Sequence, residues 1–238
     1  AERQETGVVR SINDAVKKNQ KNPISVKAGD VVIDKVIGAK KFTGRQTGGS
    51  EPYTDIELLI EGRREPYRLS LKGEAAPSLA GGGLRGLELA VPGIAAKFMK
   101  SAYKHLTQTL KLKRGAKVPD IYGLISNNDK IKIVVGNTAM GGPIDFMYIG
   151  PMDVRGPYES KKNLVVLNGT LTESVAYAKE HTLYFRLRAR REDQRFDPDA
   201  KDAANVPKIY GKSPSRGDSA GRIVVTDSTP TNAVIVRF

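Results

Sequence analysis

The sequence predicts a mixed α+β fold, in which helices pack on a sheet that contains both parallel and antiparallel strands. Two segments carry apolar residues at helical spacing, and several short segments alternate apolar and polar residues as half-buried strands do. The 24 Gly and 13 Pro among 238 residues provide for many turns, and 39% hydrophobic residues suffice for a buried core. We expect residues 1–140 to form an α/β core and residues 141–238 to form a strand-rich part that packs on the core sheet or completes it.

Residues 4–19 have apolar residues at the spacing of a helix, which Pro23 would end. Residues 30–42 are predicted to form a strand, and a turn-rich loop follows at 43–52. Two further strands come next, in the segment TDIELLIEGRREPYRLSLKG that starts at Thr54. The Gly-rich stretch 73–86 lacks the Lys-Ser/Thr ending of a P-loop, so we expect a flexible connection there.

A long helix is predicted at residues 93–113, where apolar residues recur along one side. Four lysines fall together on its other side: Lys97, Lys100, Lys104 and Lys111. Residues 95–118 contain seven Lys and Arg and no acid, whereas a solvated helix face normally mixes charges of both signs. We therefore expect these lysines to contact the phosphates of nucleic acid, with an ordinary solvated face as the alternative.

Strands are predicted in the rest of the chain at residues 130–137, 143–154, 161–172, 182–192, 222–227 and 232–238. In the strand at 182–192 the side chains of Arg186, Arg188 and Arg190 alternate with apolar ones, so they share one face. Such a row would bind phosphates through pairs of N–H groups, or it would protect an edge strand against aggregation.

The composition excludes several kinds of site. Without Cys the chain has no disulfide, no Cys-ligated zinc and no thiol nucleophile, and its two His lie far apart in sequence, which argues against a histidine metal site. No apolar run reaches the roughly 20 residues of a membrane span. The polar first 20 residues lack the apolar middle of a signal peptide, so we expect a soluble protein that is not secreted by this route.

The balance of charges points to a polyanionic partner. The net charge is +13, from 39 Lys and Arg against 26 Asp and Glu, and nucleic acid is the common partner of so basic a chain. The other interpretation is a protein of a virion or a ribosome-like particle, which is basic for packing reasons.

The predicted strands at 55–61 and 67–72 form a hairpin with a polar face. Because strand side chains alternate between faces, Asp55 and Glu57 share one face, as do Ser70 and Lys72. A four-residue loop at 62–65 would place Asp55 opposite Lys72 and Glu57 opposite Ser70, and it would also match the apolar residues of the two strands. This register gathers two carboxylates, a hydroxyl and an amine.

This group of side chains suits the metal-assisted hydrolysis of a phosphodiester. Asp55 would bind Mg²⁺ or Mn²⁺, with Glu57 as a second ligand and the main-chain carbonyl of Leu71 as a third. Lys72 would stabilise the charge that develops on the phosphate, and Ser70 would hold a water molecule. The alternative is a cross-strand ion pair on a solvated face, which contributes about 0–1 kcal/mol.

The pattern TDIELLI…YRLSLKG resembles the core of the PD-(D/E)xK nuclease superfamily, which carries an Asp on one strand and an (E/Q/S)xK tripeptide on the next. Asp55 matches the Asp, and Ser70, Leu71 and Lys72 match the tripeptide. The resemblance implies a restriction-endonuclease-like core, dependence on a divalent metal, and cleavage of DNA.

The sequence of the two predicted hairpin strands departs from the family pattern at two positions. Thr54 stands where the family has Pro, and Ser70 stands where an acid is usual, so one metal ligand is missing. The family also has an acid on its first helix, and in this sequence Glu5 or Asp14 would supply it.

A second resemblance concerns the stretches SLKGEAAPSLAGGGL and GGPIDFMYIGPMDV, which are similar to proteins of tailed phages, notably those that infect marine cyanobacteria. It implies a location in the host cytoplasm or in the virion. It also leaves two alternatives to a nuclease: a non-catalytic virion or assembly protein with a nuclease-like fold, which would bind other phage structural proteins as an oligomer, and a basic nucleic-acid-binding module.

Overall fold

A computed structural model describes residues 2–44, 51–74, 83–218 and 221–238 of the chain. Most of the Gly-rich stretch predicted to be a flexible connection, residues 75–82, lies outside the described residues, as do residues 45–50 of the predicted loop at 43–52. In the part of the chain that the structure describes, no helix is long and apolar enough to cross a membrane.

The elements of the first half of the chain are, in order, α1 (Glu2–Lys18), β1 (Ile24–Ala28), β2 (Val31–Lys41), β3 (Ile56–Ile60), β4 (Tyr67–Gly73), α2 (Gly83–Ala90), α3 (Ile94–Lys104), a π-helical turn (His105–Thr109) and β5 (Ile121–Leu124). Those of the second half are α4 (Asn127–Val135), β6 (Phe146–Gly150), β7 (Tyr158–Glu159), β8 (Leu164–Val166), β9 (Thr170–Glu173), α5 (Ser174–Glu180), β10 (Tyr184–Arg188), β11 (Arg222–Thr226) and β12 (Val234–Val236), with short 3₁₀ turns at Thr138–Met140 and Ser160–Lys162.

The chain forms two compact units, and each consists of two separate segments. Unit 1 comprises Ala1–Gly81 and Val134–Glu180, and unit 2 comprises Gly82–Ile133 and His181–Phe238. This division differs from the boundary at residue 140 that we expected from the sequence. The reason is that β6 and β9, which follow residue 140, belong to the same sheet as β1 to β4.

Unit 1 is built on a mixed sheet, as the sequence predicted. Its described strands lie in the order β7-β8-β1-β2-β3-β4-β6-β9, with parallel pairs at β1/β8 and β4/β6 and antiparallel pairs elsewhere. Helix α1 contributes Val8, Ile12, Ala15 and Val16 to the hydrophobic core that it shares with the sheet. The Asn13 side chain joins α1 to β2, because it donates to the Ala39 carbonyl and accepts from the Ala39 N–H (2.9 and 2.8 Å).

Unit 2 contains a four-stranded sheet in the order β11-β10-β5-β12. Helix α3 contributes Phe98, which is fully buried and contacts the rings of Phe185 on β10 and Phe238 at centroid distances of 5.4 Å. Since strand side chains alternate, the arginines at positions 186 and 188 lie on the face of β10 opposite to Phe185.

The hairpin of β3 and β4 has the predicted faces but not the predicted register. Ile56 lies opposite Leu69 and Glu57 lies opposite Arg68, whereas the prediction paired Glu57 with Ser70. Eight residues, 59–66, separate the last paired residues Leu58 and Tyr67, instead of the four predicted between Glu61 and Pro66. Leu59 and Ile60 extend β3 through pairing with β2, and Pro66 has no N–H to donate to the ladder. A shift of two residues keeps every side chain on its face but moves it along the strand.

The predicted helix at 93–113 is wrong in its C-terminal part. Helix α3 ends at Lys104 and continues only as the π-helical turn. Lys111 lies beyond that turn with a positive φ of 49°, so it is not on the helix face that carries Lys97, Lys100 and Lys104. The apolar stripe ends there too, since Leu110 is 39% exposed.

The predicted strand at 130–137 is also wrong, because most of this segment belongs to helix α4. The Oγ of Ser126 accepts the N–H of Asp129, which is the bond of a helix N-cap, and buried Ile133 and Val134 lie on the packed side. The alternation of Lys and Ile at 130–133 favoured a strand, but the capping residues outweigh it.

The predicted strand at 161–172 is two strands, β8 and β9, which pair with different neighbours. The strands predicted at 143–154, 182–192, 222–227 and 232–238 are confirmed as β6, β10, β11 and β12, each shorter than predicted. Five helices and strands of the described residues were not predicted: β1, β5, β7, α2 and α5.

Candidate active site

Three of the predicted site residues line one small cavity in unit 1. Asp55, Ser70 and Lys72 surround a space of about 60 Å³, together with Glu51 and Tyr53. One water molecule occupies about 30 Å³ of liquid, so the cavity suits an ion or two waters rather than a whole nucleotide. The structure thus brings together a carboxylate, a hydroxyl and an amine from the hairpin.

A local irregularity at the start of β3 positions Asp55. Its N–H donates to the Leu69 carbonyl (2.9 Å), although Leu69 is already opposite Ile56 in the ladder. Two residues of one strand therefore face one residue of the next, which is the arrangement of a β-bulge. Bulges redirect side chains, and here the Asp55 carboxylate turns towards the backbone of β4.

The Asp55 carboxylate is held by β4 through one of its oxygens. Oδ2 accepts the N–H of Leu71 (2.5 Å) and the hydroxyl of Ser70 (3.4 Å). Ser70 is itself only 3% exposed, so its hydroxyl stays near the carboxylate. In the described part of the chain Oδ1 accepts no hydrogen bond, which leaves it available to a cation.

The environment shifts the pKa values of Asp55 and Lys72 in opposite directions. Burial raises the pKa of Asp55, and the nearby carboxylate of Glu5 adds to the increase, although Leu71 N–H, Lys72 and Ser70 oppose it. Burial lowers the pKa of Lys72, against the carboxylates of Asp55 and Glu51. A bound cation would oppose the rise of the Asp55 pKa, and a bound phosphate would oppose the fall of the Lys72 pKa.

Glu5 is the acid of α1 that interacts with the site. Its carboxylate acts electrostatically on Asp55, and it also lies 4.0 Å from the amine of Lys41. Asp14, the other candidate from the sequence, is exposed and lies more than two turns further along α1. The structure therefore favours Glu5 as the first-helix acid.

Glu57 does not join the cavity. Its side chain is 11% exposed and forms ion pairs with Lys40 (3.3 Å) and Arg68 (3.8 Å). The prediction that Glu57 lies beside Ser70 and supplies a second metal ligand depended on the register that the structure corrects. Its carboxylate is already compensated by two cations and serves to pair β3 with its two neighbouring strands.

The donor atoms around Asp55 fit a hard divalent cation. Carboxylate oxygens such as those of Asp55 and Glu5 are the kind of ligand that Mg²⁺ prefers, and Mg²⁺ usually takes only one or two protein carboxylates and keeps several waters. Of Leu71, the sequence-predicted third ligand, the N–H already binds Asp55. Among the residues that the structure describes, no group of three or more His, Asp or Glu side chains could hold a metal ion. The site is thus consistent with a loosely held Mg²⁺ or Mn²⁺ and not with an ion enclosed by protein ligands.

Comparison of the chain with protein-family models, curated proteins and solved structures found no match. The assignment of function therefore depends on the geometry of the cavity and on the charges around it.

Sequence reasoning missed Gln4, which joins α1 to the site. Gln4 is 1% exposed, and its Nε2 donates to the carbonyls of Lys72 (3.0 Å) and Gly150 (3.1 Å), at the ends of β4 and β6. A signal for it was present, because Gln4, Val8 and Ile12 lie four residues apart and share the buried side of the helix. A polar residue on such a side needs buried partners.

Tyr53, which the sequence did not indicate, belongs to the cavity wall, and its neighbour Thr54 is anchored beside it. Tyr53 is 5% exposed, and its hydroxyl has no hydrogen-bond partner among the described residues; burial raises its pKa. Thr54, which stands where the resembled family has Pro, is fixed by its hydroxyl to the Gly141 carbonyl (2.6 Å). The residue before Asp55 is thereby fixed by a hydrogen bond and not by a proline ring at position 54.

The basic residues predicted to bind nucleic acid lie in unit 2. Lys97, Lys100 and Lys104 are exposed on α3. Arg186 is engaged with Asp120 through its Nε and Nη2 (2.9 and 2.6 Å). The two other arginines of the predicted row, at 188 and 190, lie in a cavity of the same unit.

Proposed function

We propose that this protein is a metal-dependent nuclease of the PD-(D/E)xK type that hydrolyses phosphodiester bonds of DNA. The observation that carries the proposal is the cavity in which Asp55 and Lys72, from neighbouring strands, lie together with pKa values shifted in opposite directions. Oppositely perturbed titratable groups in one cleft are typical of catalytic sites.

The topology of unit 1 supports a restriction-endonuclease-like core. Within unit 1, α1 is followed by β2, β3 and β4, which is the order helix, strand, strand, strand that the resemblance implies. The strand expected at 130–137 to complete this order lies mostly in helix α4 instead. Strands β2, β3 and β4 form an antiparallel meander, and β6 runs parallel to β4. In this proposal β1 is an addition to the core, and so is the part of the chain between β4 and β6 that belongs to unit 2.

Asp55, Glu5 and the Leu71 carbonyl would hold the Mg²⁺ or Mn²⁺ ion. When bound, the ion would supply positive charge that activates a water molecule and offsets the charge of the phosphate. Ser70 takes the place of the usual acid, so the site has one negative charge fewer than the family pattern. Glu5, the acid of the first helix, provides the second carboxylate, and the acid missing at Ser70 is not replaced.

The side chains of the hairpin have separate tasks in this proposal. The Leu71 N–H and the Ser70 hydroxyl orient the Asp55 carboxylate. The Lys72 amine donates to the phosphate oxygens, where negative charge increases in the transition state. Gln4 holds the backbone of Lys72 and thereby sets the position of that amine.

Unit 2 would supply contacts to the DNA backbone. The exposed lysines of α3 and the arginines of β10 would contact phosphates and not the edges of bases. Phosphate contacts position a duplex or a strand without specifying its sequence. We therefore propose that unit 2 contributes affinity and unit 1 contributes the chemistry.

The proposal is tested by incubating the protein with supercoiled plasmid and Mg²⁺ or Mn²⁺. Wild type should nick or linearise the plasmid, and EDTA should abolish this. The variants Asp55→Ala and Lys72→Ala should both lose cleavage. Matched controls are Glu61→Ala, an exposed acid in the loop of the same hairpin, and Lys17→Ala, an exposed lysine on α1; both should cleave like wild type.

The same experiment distinguishes the two alternatives. Salt-sensitive binding of the plasmid without cleavage would favour the basic nucleic-acid-binding module. Absence of both binding and cleavage, together with recovery of the protein from purified phage particles as an oligomer, would favour the virion or assembly protein.

A further inference from the structure

Unit 2 contains a second cavity, of about 640 Å³, whose lining is strongly basic. Six of its lining side chains are cationic and only two are acidic. The cations are Lys117, Arg186, Arg188, Arg190, Arg191 and Arg195. We call this cavity the arginine pocket. Its volume lies in the range of about 300–1,000 Å³ that is typical of pockets for small ligands.

Not all of these cations are neutralised by the protein. Arg186 forms a close two-point contact with Asp120. Arg190 and Arg191 share a single oxygen of Asp218 at 3.8 and 3.7 Å. Within the described part of the chain the other three cations, Lys117, Arg188 and Arg195, form no ion pair. Such an excess of positive charge in a concave site favours an anionic ligand.

Arg188 stands out among these cations. It lies directly opposite Arg222 in the β10/β11 ladder, and like charges in this position destabilise a sheet. Both side chains lack an acidic partner among the described residues. An anion bound beside Arg188 would remove the repulsion between the two arginines. Binding of an anion would thus give Arg188 and Arg222 a role that they do not have in the fold alone.

The wall of the arginine pocket is built before any ligand binds. Gln194 is 2% exposed, and its Oε1 accepts the N–H groups of Arg190 and Arg191 (2.8 and 3.0 Å), while its Nε2 donates to the Asp218 carbonyl (3.0 Å). The Arg195 guanidinium donates to the carbonyls of Glu192 and Gln194 (2.7 and 3.0 Å). A cavity held in this way loses little conformational entropy on binding.

We infer that the arginine pocket binds two or more neighbouring phosphates of one nucleic-acid strand; this inference rests on the proposed function for the identity of the polyanion. Guanidinium groups match phosphate oxygens through paired N–H donors. The three unpaired cations exceed the single charge of one phosphodiester, so more than one phosphate is needed to balance them. The concave shape suits a flexible single strand, since the stiff backbone of a duplex cannot bend into it.

The test is binding of a fluorescent single-stranded 12-nucleotide DNA in EDTA, followed by anisotropy over a range of NaCl concentrations. Arg188→Gln should weaken binding about tenfold, the loss expected for one charge-assisted contact. The slope of log K against log salt should become less steep by about 0.7 for each phosphate contact removed. The double variant Arg188→Gln/Arg195→Gln should show a larger loss, and Arg188→Lys a smaller one.

Lys161→Gln is the matched control, because Lys161 is an exposed cation of unit 1 and its removal causes the same change of net charge. It should bind like wild type. If the arginine variants bind as tightly as this control at every salt concentration, the inference is overturned. Thermal unfolding of each variant is measured as well. If Arg188→Gln lowers the unfolding midpoint, the test depends on Arg195→Gln alone, because Arg195 is exposed.

Two further arms separate this inference from related ones. Binding of the oligonucleotide by wild type in EDTA is measured separately from cleavage, so a failure of the nuclease proposal would leave this binding intact. Inorganic triphosphate is used as a competitor. Binding of triphosphate through Arg188, with no measurable binding of the oligonucleotide, would overturn the assignment to a nucleic-acid strand and identify a site for small phosphorylated ligands.

Discussion

Replacing Gln4 with Leu tests whether α1 is fastened to the candidate active site by a single buried amide. The amide donates to the carbonyls of Lys72 and Gly150, and the bond to Gly150 is fully buried. Leu has a similar size and no donor. Both carbonyls therefore lose this partner, and the position of the Lys72 amine is no longer fixed from the side of α1.

The expected loss of stability follows from these two bonds. A net contribution of about 1 kcal/mol for each bond gives about 2 kcal/mol, and the unsatisfied carbonyl of Gly150 adds about 1–2 kcal/mol. The more apolar side chain recovers about 1 kcal/mol by burial. We therefore expect Gln4→Leu to lower the free energy of unfolding of unit 1 by about 2–3 kcal/mol.

Urea denaturation followed by far-ultraviolet circular dichroism measures this loss. Native-state hydrogen exchange of peptides that cover β4 and β6 assigns it to unit 1, which is necessary because the chain has two units. Arg10→Leu, on the exposed side of the same helix, is the control and should change the stability by no more than about 0.5 kcal/mol. A Gln4→Leu variant as stable as Arg10→Leu would refute the reasoning.

Three further predictions concern carboxylates. Glu5→Gln should reduce the rate of metal-dependent DNA cleavage at least about tenfold, whereas Asp14→Asn should leave it unchanged; equal effects in a cleavage assay would remove Glu5 from the site. Because the pKa of Asp55 is raised in the fold, its contribution to stability is present below about pH 4 and is lost as the pH rises through the raised pKa. Wild type should accordingly lose stability relative to Asp55→Asn on going from pH 4 to neutral pH in urea titrations, and parallel curves for the two proteins would contradict this. The pKa of Asp193 is shifted in the opposite direction, because hydrogen bonds from two serine hydroxyls lower it to about 2. Its stabilising effect is therefore present above about pH 4 and is lost as the pH falls towards 2. The difference in unfolding midpoint between wild type and Asp193→Asn should shrink over that range rather than stay constant.

The polar face of the hairpin was accessible from the sequence because it depends only on alternation within each strand. Asp55, Ser70 and Lys72 fall on one face for any register that shifts by an even number of residues. Which of them meet depends on the register, and the observed pairing of Leu58 with Tyr67 leaves eight residues between the paired positions instead of four. Glu57 was therefore placed at the wrong point along the strand.

The contacts that complete the site come from parts of the chain that are far apart in sequence. Gln4 binds the main-chain carbonyls of Lys72 and Gly150. These two carbonyls lie close together because β4 and β6 are aligned in parallel, and no local sequence pattern encodes that alignment. The two units escaped prediction for the same reason, since each is assembled from two segments that are separated in sequence by a segment of the other unit.

Local competition explains the remaining errors. The segment 130–137 alternates like a strand, but Ser126 caps a helix there. The helix predicted to reach residue 113 ends at Lys104 and its π-helical turn, although the apolar spacing continues to Leu110. A helix N-cap in the first place and the left-handed backbone of Lys111 in the second are features that apolar periodicity does not report.

The most direct test of a hydrolytic site at Asp55 and Lys72 is the single-turnover rate of cleavage of an end-labelled DNA, with and without Mg²⁺, for wild type and Lys72→Met. If Lys72 stabilises charge on the phosphate, the rate with Mg²⁺ should fall about 10²–10³-fold in the variant while DNA binding in EDTA stays the same. Equal rates for wild type and Lys72→Met, or cleavage by wild type that persists at the same rate in EDTA, would contradict the account.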